Sequence, residues 1–201
     1  MTVKIAIVFY SKTGNVAKLA EAIGYGAREA GAEVKLLRVH DLAPQSRIDA
    51  DAHWKQISAE LGATYAEPAL ADLEWADAII FGSPTRFGVV SADLKAFIDT
   101  LGGLWFQGKL VNKVGSAFST TSTKHGGNEM TLQSLMTPMM HLGMILVTPG
   151  YTDPAMFSGG SPYGATAVVG GANDQPPAEN DLAAARHQGK RVAEVTTKLL
   201  S

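Results

Sequence analysis

Residues Val3 to Tyr10 form an almost unbroken apolar run, and a small, hydroxyl-rich turn, Ser11-Lys12-Thr13-Gly14-Asn15, follows it directly. Such a run suits a strand buried on both faces, as in a parallel sheet flanked by helices. Beyond the turn, Val16, Leu19, Ala20, Ile23 and Ala27 recur at helical spacing, so a helix starts near Asn15 and ends at Gly31. Strand, turn and helix start together make an anion site. Backbone N–H groups point out of the turn, the helix dipole is positive there, and hydroxyls complete the shell. The pattern predicts that Ser11, Lys12, Thr13, Gly14, Asn15 and Val16 hold a phosphate. Neither G-x-G-x-x-G nor G-x-x-x-x-G-K-[ST] is present, so a phosphate monoester fits better than a nucleotide polyphosphate. Taken alone, the stretch also reads as an ordinary capped turn, because Ser, Thr and Asn are the usual helix caps.

The rest of the chain repeats the alternation of strand and helix. Glu33 to Val39 reads as a second strand, and Asp77 to Gly82 as a third. Between them, Asp41 to Glu67 is an irregular excursion with a helical stretch around Asp51 to Leu61, and Asp72 to Ala76 is a single short turn. The third strand runs into the polar loop Gly82-Ser-Pro-Thr-Arg-Phe-Gly-Val-Val-Ser91, where Ser91 caps a helix carrying Leu94, Phe97, Ile98 and Leu101. Val114 to Ser119 is a fourth strand, followed by a third polar loop, Ser119 to Gly127. A helix from about Glu129 to His141 follows, with Pro138 as a kink or a stop. Met144 to Val147 is the fifth strand, Gly150 to Gln175 a long glycine- and aromatic-rich loop, and the chain closes on an amphipathic helix through Leu182, Val192 and Leu199. Five strands alternating with helices define an α/β fold, a doubly wound five-stranded parallel sheet with helices on both faces. Such sheets bind ligands at the carboxyl ends of their strands, where all three polar loops lie.

Composition narrows the function. The 201 residues suit one domain, and a net charge of −2 argues against a nucleic-acid partner, which needs a clustered basic face. There is no cysteine, which removes disulfides, thiol nucleophiles and Cys-ligated metals. No segment approaches the roughly 18 apolar residues of a membrane span, and the apolar start is too short for a secretory core, so a cytoplasmic location is expected. His40, His53 and His187 read as surface residues at no metal-ligand spacing.

A flavin mononucleotide gives each loop a separate task. The first turn would hold its phosphate. Thr85, Arg86 and Phe87 would lie along the ring, with Phe87 as apolar contact and Arg86 placing positive charge where reduction builds negative charge. Thr120, Thr121, Ser122 and Thr123 are small enough to let backbone approach the ring, and Gly126 and Gly127 would make the turn. Thr85 to Phe87 can also be read as a capped turn with an exposed Arg and a core Phe.

Taken together, these segments resemble a known family. Ser-x-Thr-Gly-Asn after the first strand resembles the flavodoxin-like phosphate loop. Gly82-Ser-Pro-Thr-Arg-Phe-Gly88, Thr100-Leu-Gly-Gly-Leu-Trp105, His141-x-Gly-Met144, Gly160-Ser-Pro-Tyr-Gly-Ala-Thr166 and Ala185-Arg-x-Gln-Gly189 resemble the WrbA-type NAD(P)H:quinone oxidoreductases, in order and across nearly the whole chain. The resemblance implies that Ser11 to Val16, Thr85 to Phe87 and Thr120 to Gly126 bind FMN. It implies that His141 reaches the flavin of a neighbouring subunit, that Trp105 walls the substrate cleft, and that Thr13 touches the nicotinamide cofactor. The activity implied is two-electron reduction of quinones by NADH or NADPH, ping-pong through the flavin, in a homotetramer with active sites between subunits. Two departures stand out: Thr13 takes the place of an aromatic residue, and Lys124-His125-Gly126-Gly127 is longer and more polar than the family's glycine run. A flavodoxin-type single-electron carrier and a flavin-binding regulator are the alternatives, and the near-neutral charge, the 150–175 region and Trp105 speak against the carrier.

Overall fold

The computed structural model describes residues 2–172 and 174–201. Strand β1 (Lys4–Phe9) leads into helix α1 (Asn15–Glu29) and strand β2 (Glu33–Arg38). The excursion holds α2 (Gln45–Asp49), α3 (Ala52–Thr64) and α4 (Leu70–Trp75), the last longer than the single turn expected. Then come β3 (Ala78–Pro84), α5 (Ala92–Asp99), α6 (Gly102–Phe106), β4 (Val114–Thr121), α7 (Asn128–His141), β5 (Ile145–Leu146), a 3-10 turn (Pro154–Phe157), β6 (Thr166–Val168) and α8 (Glu179–Leu200).

All strand pairs are parallel, in the order β2-β1-β3-β4-β5, with β6 also on β4. The fifth position in the sheet is filled twice. β5 pairs with Val114 and Gly115 at the start of β4, whereas β6 pairs with Ser119, Thr120 and Thr121 at its end. The chain leaves the sheet edge after Leu146 and returns to it at Thr166. This corrects two expectations: the fifth strand is shorter than Met144 to Val147, and Gly150 to Gln175 is not all loop (Asn173, within it, lies outside the described residues). A three-residue strand is too short to show alternation, and only its pairing with β4 makes it one. The same pairing extends β4 through Thr120 and Thr121, which had been expected in the loop.

The sheet is buried on both faces, as the apolar run of β1 requires. Ile5, Ile7 and Phe9 face one core with Leu19, Ile23 and Val192, while Ala6, Val8 and Tyr10 face the other with Leu94, Leu132 and Met139. Burying each large aliphatic side chain is worth about 1.5–3 kcal/mol. Helices α1 and α8 touch at glycines: a Cβ on Gly189 would sit 1.8 Å from the Ile23 carbonyl oxygen, and one on Gly26 would sit 1.9 Å from that of Arg186. Beside this seam Gln188, fully buried, accepts from the Ala165 N–H at 2.7 Å and donates to Ser116 Oγ at 2.7 Å and the Ala117 carbonyl at 2.9 Å. One side chain thus fastens α8, β4 and the entry to β6.

Candidate functional site

Helix α1 starts at a left-handed Gly14 (φ 83°) that supplies no side-chain cap, and no acidic residue lies in its first turn. The positive end of the helix is therefore not neutralised from within its own first turn. Ser11, buried, turns its Oγ inward to accept from the Ala17 N–H at 3.3 Å, and Asn15 Nδ2 donates to Thr13 Oγ1 at 3.4 Å. These contacts hold the turn in a cradle shape before any ligand arrives.

The cradle opens into a cavity of about 390 Å³, within the roughly 300–1,000 Å³ range of small-molecule sites. Ser11, Lys12, Thr13 and Val16 line it from the first turn, Thr85 and Arg86 from the end of β3, and Thr120, Thr121 and Ser122 from the end of β4. Residues from three separate turns, distant in sequence, meet at the carboxyl edge of one sheet, because β1, β3 and β4 are adjacent and parallel. Gly14 and Asn15 shape the turn and lie outside the lining.

The loop after β3 differs from expectation in one respect. Arg86 and Val89 exchange both backbone hydrogen bonds (2.9 and 3.2 Å), with Phe87 at φ 54° and Gly88 at φ 81° between them. Two successive positive φ values closed by that pair make a type I′ turn. Phe87 is lifted to its tip, fully exposed and outside the cavity lining. An unshielded aromatic in a left-handed conformation is a costly arrangement, of the kind found at functional contacts. Thr85 braces the turn from below: its Oγ1 accepts from the Gly88 N–H (3.1 Å) and from Thr131 Oγ1 (2.8 Å), and donates to the Gly126 carbonyl (3.3 Å). Thr123 and Gly126 also lie outside the lining and act as supports. The Thr123 carbonyl accepts from Thr121 Oγ1 and from the Gly126 N–H, both at 2.9 Å.

Trp105 and His141 do not meet the cavity within this chain. They line a separate groove of about 630 Å³ between α6 and α7, with Ile98, Leu101 and Pro138.

Asp51, His53, Trp54 and Ala172 complete the cavity, and sequence reasoning missed their role. Trp54 among them is positioned by Asp41, whose carboxylate accepts from Tyr10 Oη (2.8 Å), Arg38 Nη2 (2.5 Å), Trp54 Nε1 (2.9 Å) and Ser58 Oγ (2.6 Å). The Arg38 and Asp41 side chains are only 5% and 3% exposed. Burial pushes the Asp41 carboxyl up, but hydrogen bonds from Ser58, Arg38, Trp54 and Tyr10 outweigh it and hold the group below the usual carboxylate range. Burial first, and the neighbouring Asp93 and Asp41 next, push the Tyr10 phenol far up, so it stays a donor. Through this carboxylate the end of β1 is tied to α3, and Trp54 is set under Lys12 Nζ, 3.9 Å from its ring centroid. Asp51 caps α3 by accepting from the Trp54 N–H at 3.0 Å. The available signal was an Asp next to an irregular stretch that later carries a Trp, too common a pattern to single out.

A parallel sheet in this strand order, with a hydroxyl-rich turn after β1 and two further turns on the same cavity, defines a flavodoxin-like protein. A model of the NADPH-dependent FMN reductase family matches residues 3–153, and the chain belongs to that family. The NAD(P)H dehydrogenase (quinone) of Deinococcus radiodurans is 52% identical over 200 residues, covering 98% of each chain. That of Methylocella silvestris is 45% identical over 201 residues, again covering 98% of each. Among solved structures, the WrbA-like flavodoxin from Agrobacterium tumefaciens superposes with a TM-score of 0.69 at 26% identity, over 98% of this chain and 99% of that one. An archaeal flavodoxin superposes at 0.63 and 20% identity, a likeness of fold.

Proposed function

We propose that this chain is an FMN-dependent NAD(P)H:quinone oxidoreductase, a single FMN-binding domain that reduces quinones by two electrons. The observation that carries the proposal is the meeting of three polar turns on one cavity, with relatives named NAD(P)H dehydrogenase (quinone), one of them 52% identical, as support. The residues fit the group: a hydroxyl-rich cradle at a helix start with no acidic residue in its first turn suits a phosphate monoester, and small residues on the third wall leave room for a flat ring. The chemistry that bound FMN supplies is hydride acceptance from NADH or NADPH and delivery of two electrons to a quinone.

The chain's own residues bind and orient. Ser11, Thr13 and the first-turn N–H groups of α1 take the phosphate. Arg86 sets positive charge at the ring end of the cavity. Thr120 to Ser122, braced where the Thr121 hydroxyl donates to the Thr123 carbonyl, form the opposite wall. Donor and quinone use one open face by turns, which gives ping-pong kinetics. Exposed Phe87, Trp105 and Phe106 supply the apolar surface of a homotetramer in which Trp105 and His141 of one copy complete the site of another. Among the described residues no helix is long and apolar enough to cross a membrane. We assign the protein to the cytoplasm on its cysteine-free sequence and its reducing co-substrate.

Purified protein is expected to be yellow, or to become so with added FMN, and to oxidise NADPH or NADH with benzoquinone along parallel double-reciprocal lines. Protein that stays colourless and takes up no FMN would refute the proposal.

A further inference from the structure

A second, smaller cavity of about 250 Å³ adjoins the first and shares Lys12, Trp54 and Arg86 with it. Tyr10, Arg47 and Asp93 are among its other walls. Three cations therefore face a space of about 250 Å³, in a chain whose net charge is −2. Among the described residues none of the three has a carboxylate ion-pair partner. Lys12 rests on the Trp54 ring, Arg86 spends Nη1 on the Thr85 carbonyl at 2.8 Å, and Arg47 projects from α2. The nearby acids offset them only in part. Asp41 is committed to Arg38, Asp51 lines only the larger cavity and caps α3, and Asp93, which accepts from the Leu42 N–H at 2.9 Å, is the one carboxylate on the wall against the three cations. Like charges gathered without partners repel each other until an anion joins them. The walls are also fixed in advance, since Asp41 holds both Tyr10 and Trp54.

We propose that Lys12, Arg47 and Arg86 form a phosphate subsite for the dinucleotide tail of the hydride donor. This rests on the reading above as an NAD(P)H oxidoreductase. The phosphate of FMN is accounted for by Ser11, Thr13 and the first-turn N–H groups of α1, and a quinone carries no charge. The remaining phosphates in the reaction are those of the donor, namely its pyrophosphate and, in NADPH, its 2′-phosphate. Because the two cavities share a wall, a donor with its nicotinamide over the ring can lay its tail along Lys12 and Trp54 into the smaller one. Guanidinium groups suit this task because their planar fork matches phosphate oxygens. Arg47 is the clean probe, since it lines the smaller cavity and not the larger.

Calorimetric titration of FMN-loaded protein with ADP and with adenosine 2′,5′-bisphosphate tests the subsite without turnover. Arg47→Ala is expected to weaken binding about tenfold, the cost of a lost charge-assisted hydrogen bond, with Arg47→Lys recovering part. Loss for both probes assigns the subsite to the pyrophosphate, and loss for the 2′-phosphorylated probe alone assigns it to the 2′-phosphate with a preference for NADPH. Either result supports the subsite. In turnover, the selectivity for dinucleotide over 1-benzyl-1,4-dihydronicotinamide, a donor without phosphate, should fall by a similar factor in Arg47→Ala. The subsite is overturned if wild-type protein binds neither probe, or if Arg47→Ala binds both as tightly as wild type. A yellow enzyme that turns over NADPH with unchanged selectivity in Arg47→Ala would refute the subsite alone, whereas protein that takes up no FMN would refute the oxidoreductase reading.

Discussion

The cavity at the ends of β1, β3 and β4 and the groove between α6 and α7 are built by opposite means. The cavity is polar and braced from behind: Asp41 holds one wall, the Thr123 carbonyl another, and Thr85 ties the β3 turn to Gly126 and Thr131. The groove is mostly apolar and open, and its Trp105 is 58% exposed, with Phe106 and Phe87 also in solvent. One region brings its three turns together within a single chain. The other presents apolar surface of the kind that a second copy covers. The difference teaches how the proposed roles divide: cofactor binding would rest mainly on hydrogen bonds within one chain, and substrate access and assembly on surfaces that a second copy would cover.

The largest effect should come from undoing the brace. Asp41→Ala leaves Arg38 charged, buried and unpaired and frees Trp54, which is expected to cost roughly 3–5 kcal/mol of stability in denaturant unfolding and to loosen FMN. The same carboxylate gives a pH signature. Its folded pKa lies below its unfolded one, so its stabilisation is fully present above about pH 3.9 and is lost as the pH falls through the folded pKa. Acid unfolding should therefore shift to higher pH in Asp41→Asn, measured by circular dichroism.

A smaller loss should follow from Ser11→Ala. Removing one hydroxyl from the cradle is expected to weaken FMN five- to thirtyfold, about 1–2 kcal/mol, with little change in oligomer size. Trp105→Ala should show the reverse: FMN affinity near wild type in dilute protein, but a higher quinone KM and a weaker assembly by sedimentation. A cradle variant that dissolves the assembly, or a Trp105 variant that abolishes FMN binding to the monomer, would break the distinction. The smallest effect is expected at Phe87. Phe87→Gly relieves a left-handed side chain and should stabilise the dilute monomer by about 0.5–1 kcal/mol, the left-handed cost less glycine's extra chain entropy. The same change should weaken assembly, because the exposed ring is lost.

What could be read from the sequence follows the same division. The apolar run before Ser11 announces a strand buried on both faces, and the hydroxyls after it announce the cradle, because both are local patterns with one physical cause each. The loops after β3 and β4 were legible as polar interruptions between apolar runs. The inner wall at Asp51, His53 and Trp54 was not, because it depends on Asp41 reaching Tyr10 on one side and Trp54 on the other, a contact that no periodicity encodes. Strand β6 was hidden for a related reason: three residues in a glycine-rich stretch become a strand only when β4 pairs with them. Phe87 was read as apolar contact along the ring, but the Gly88 beside it makes a type I′ turn that lifts the aromatic to the tip.

The central claim is that three turns meet to grip one flavin phosphate and ring, and titration of FMN fluorescence with the FMN-free protein tests it most directly. The account predicts saturable quenching at one site per chain, weakened separately by Ser11→Ala, Arg86→Ala and Thr121→Val. Absence of quenching, or an affinity indifferent to all three substitutions, would contradict it.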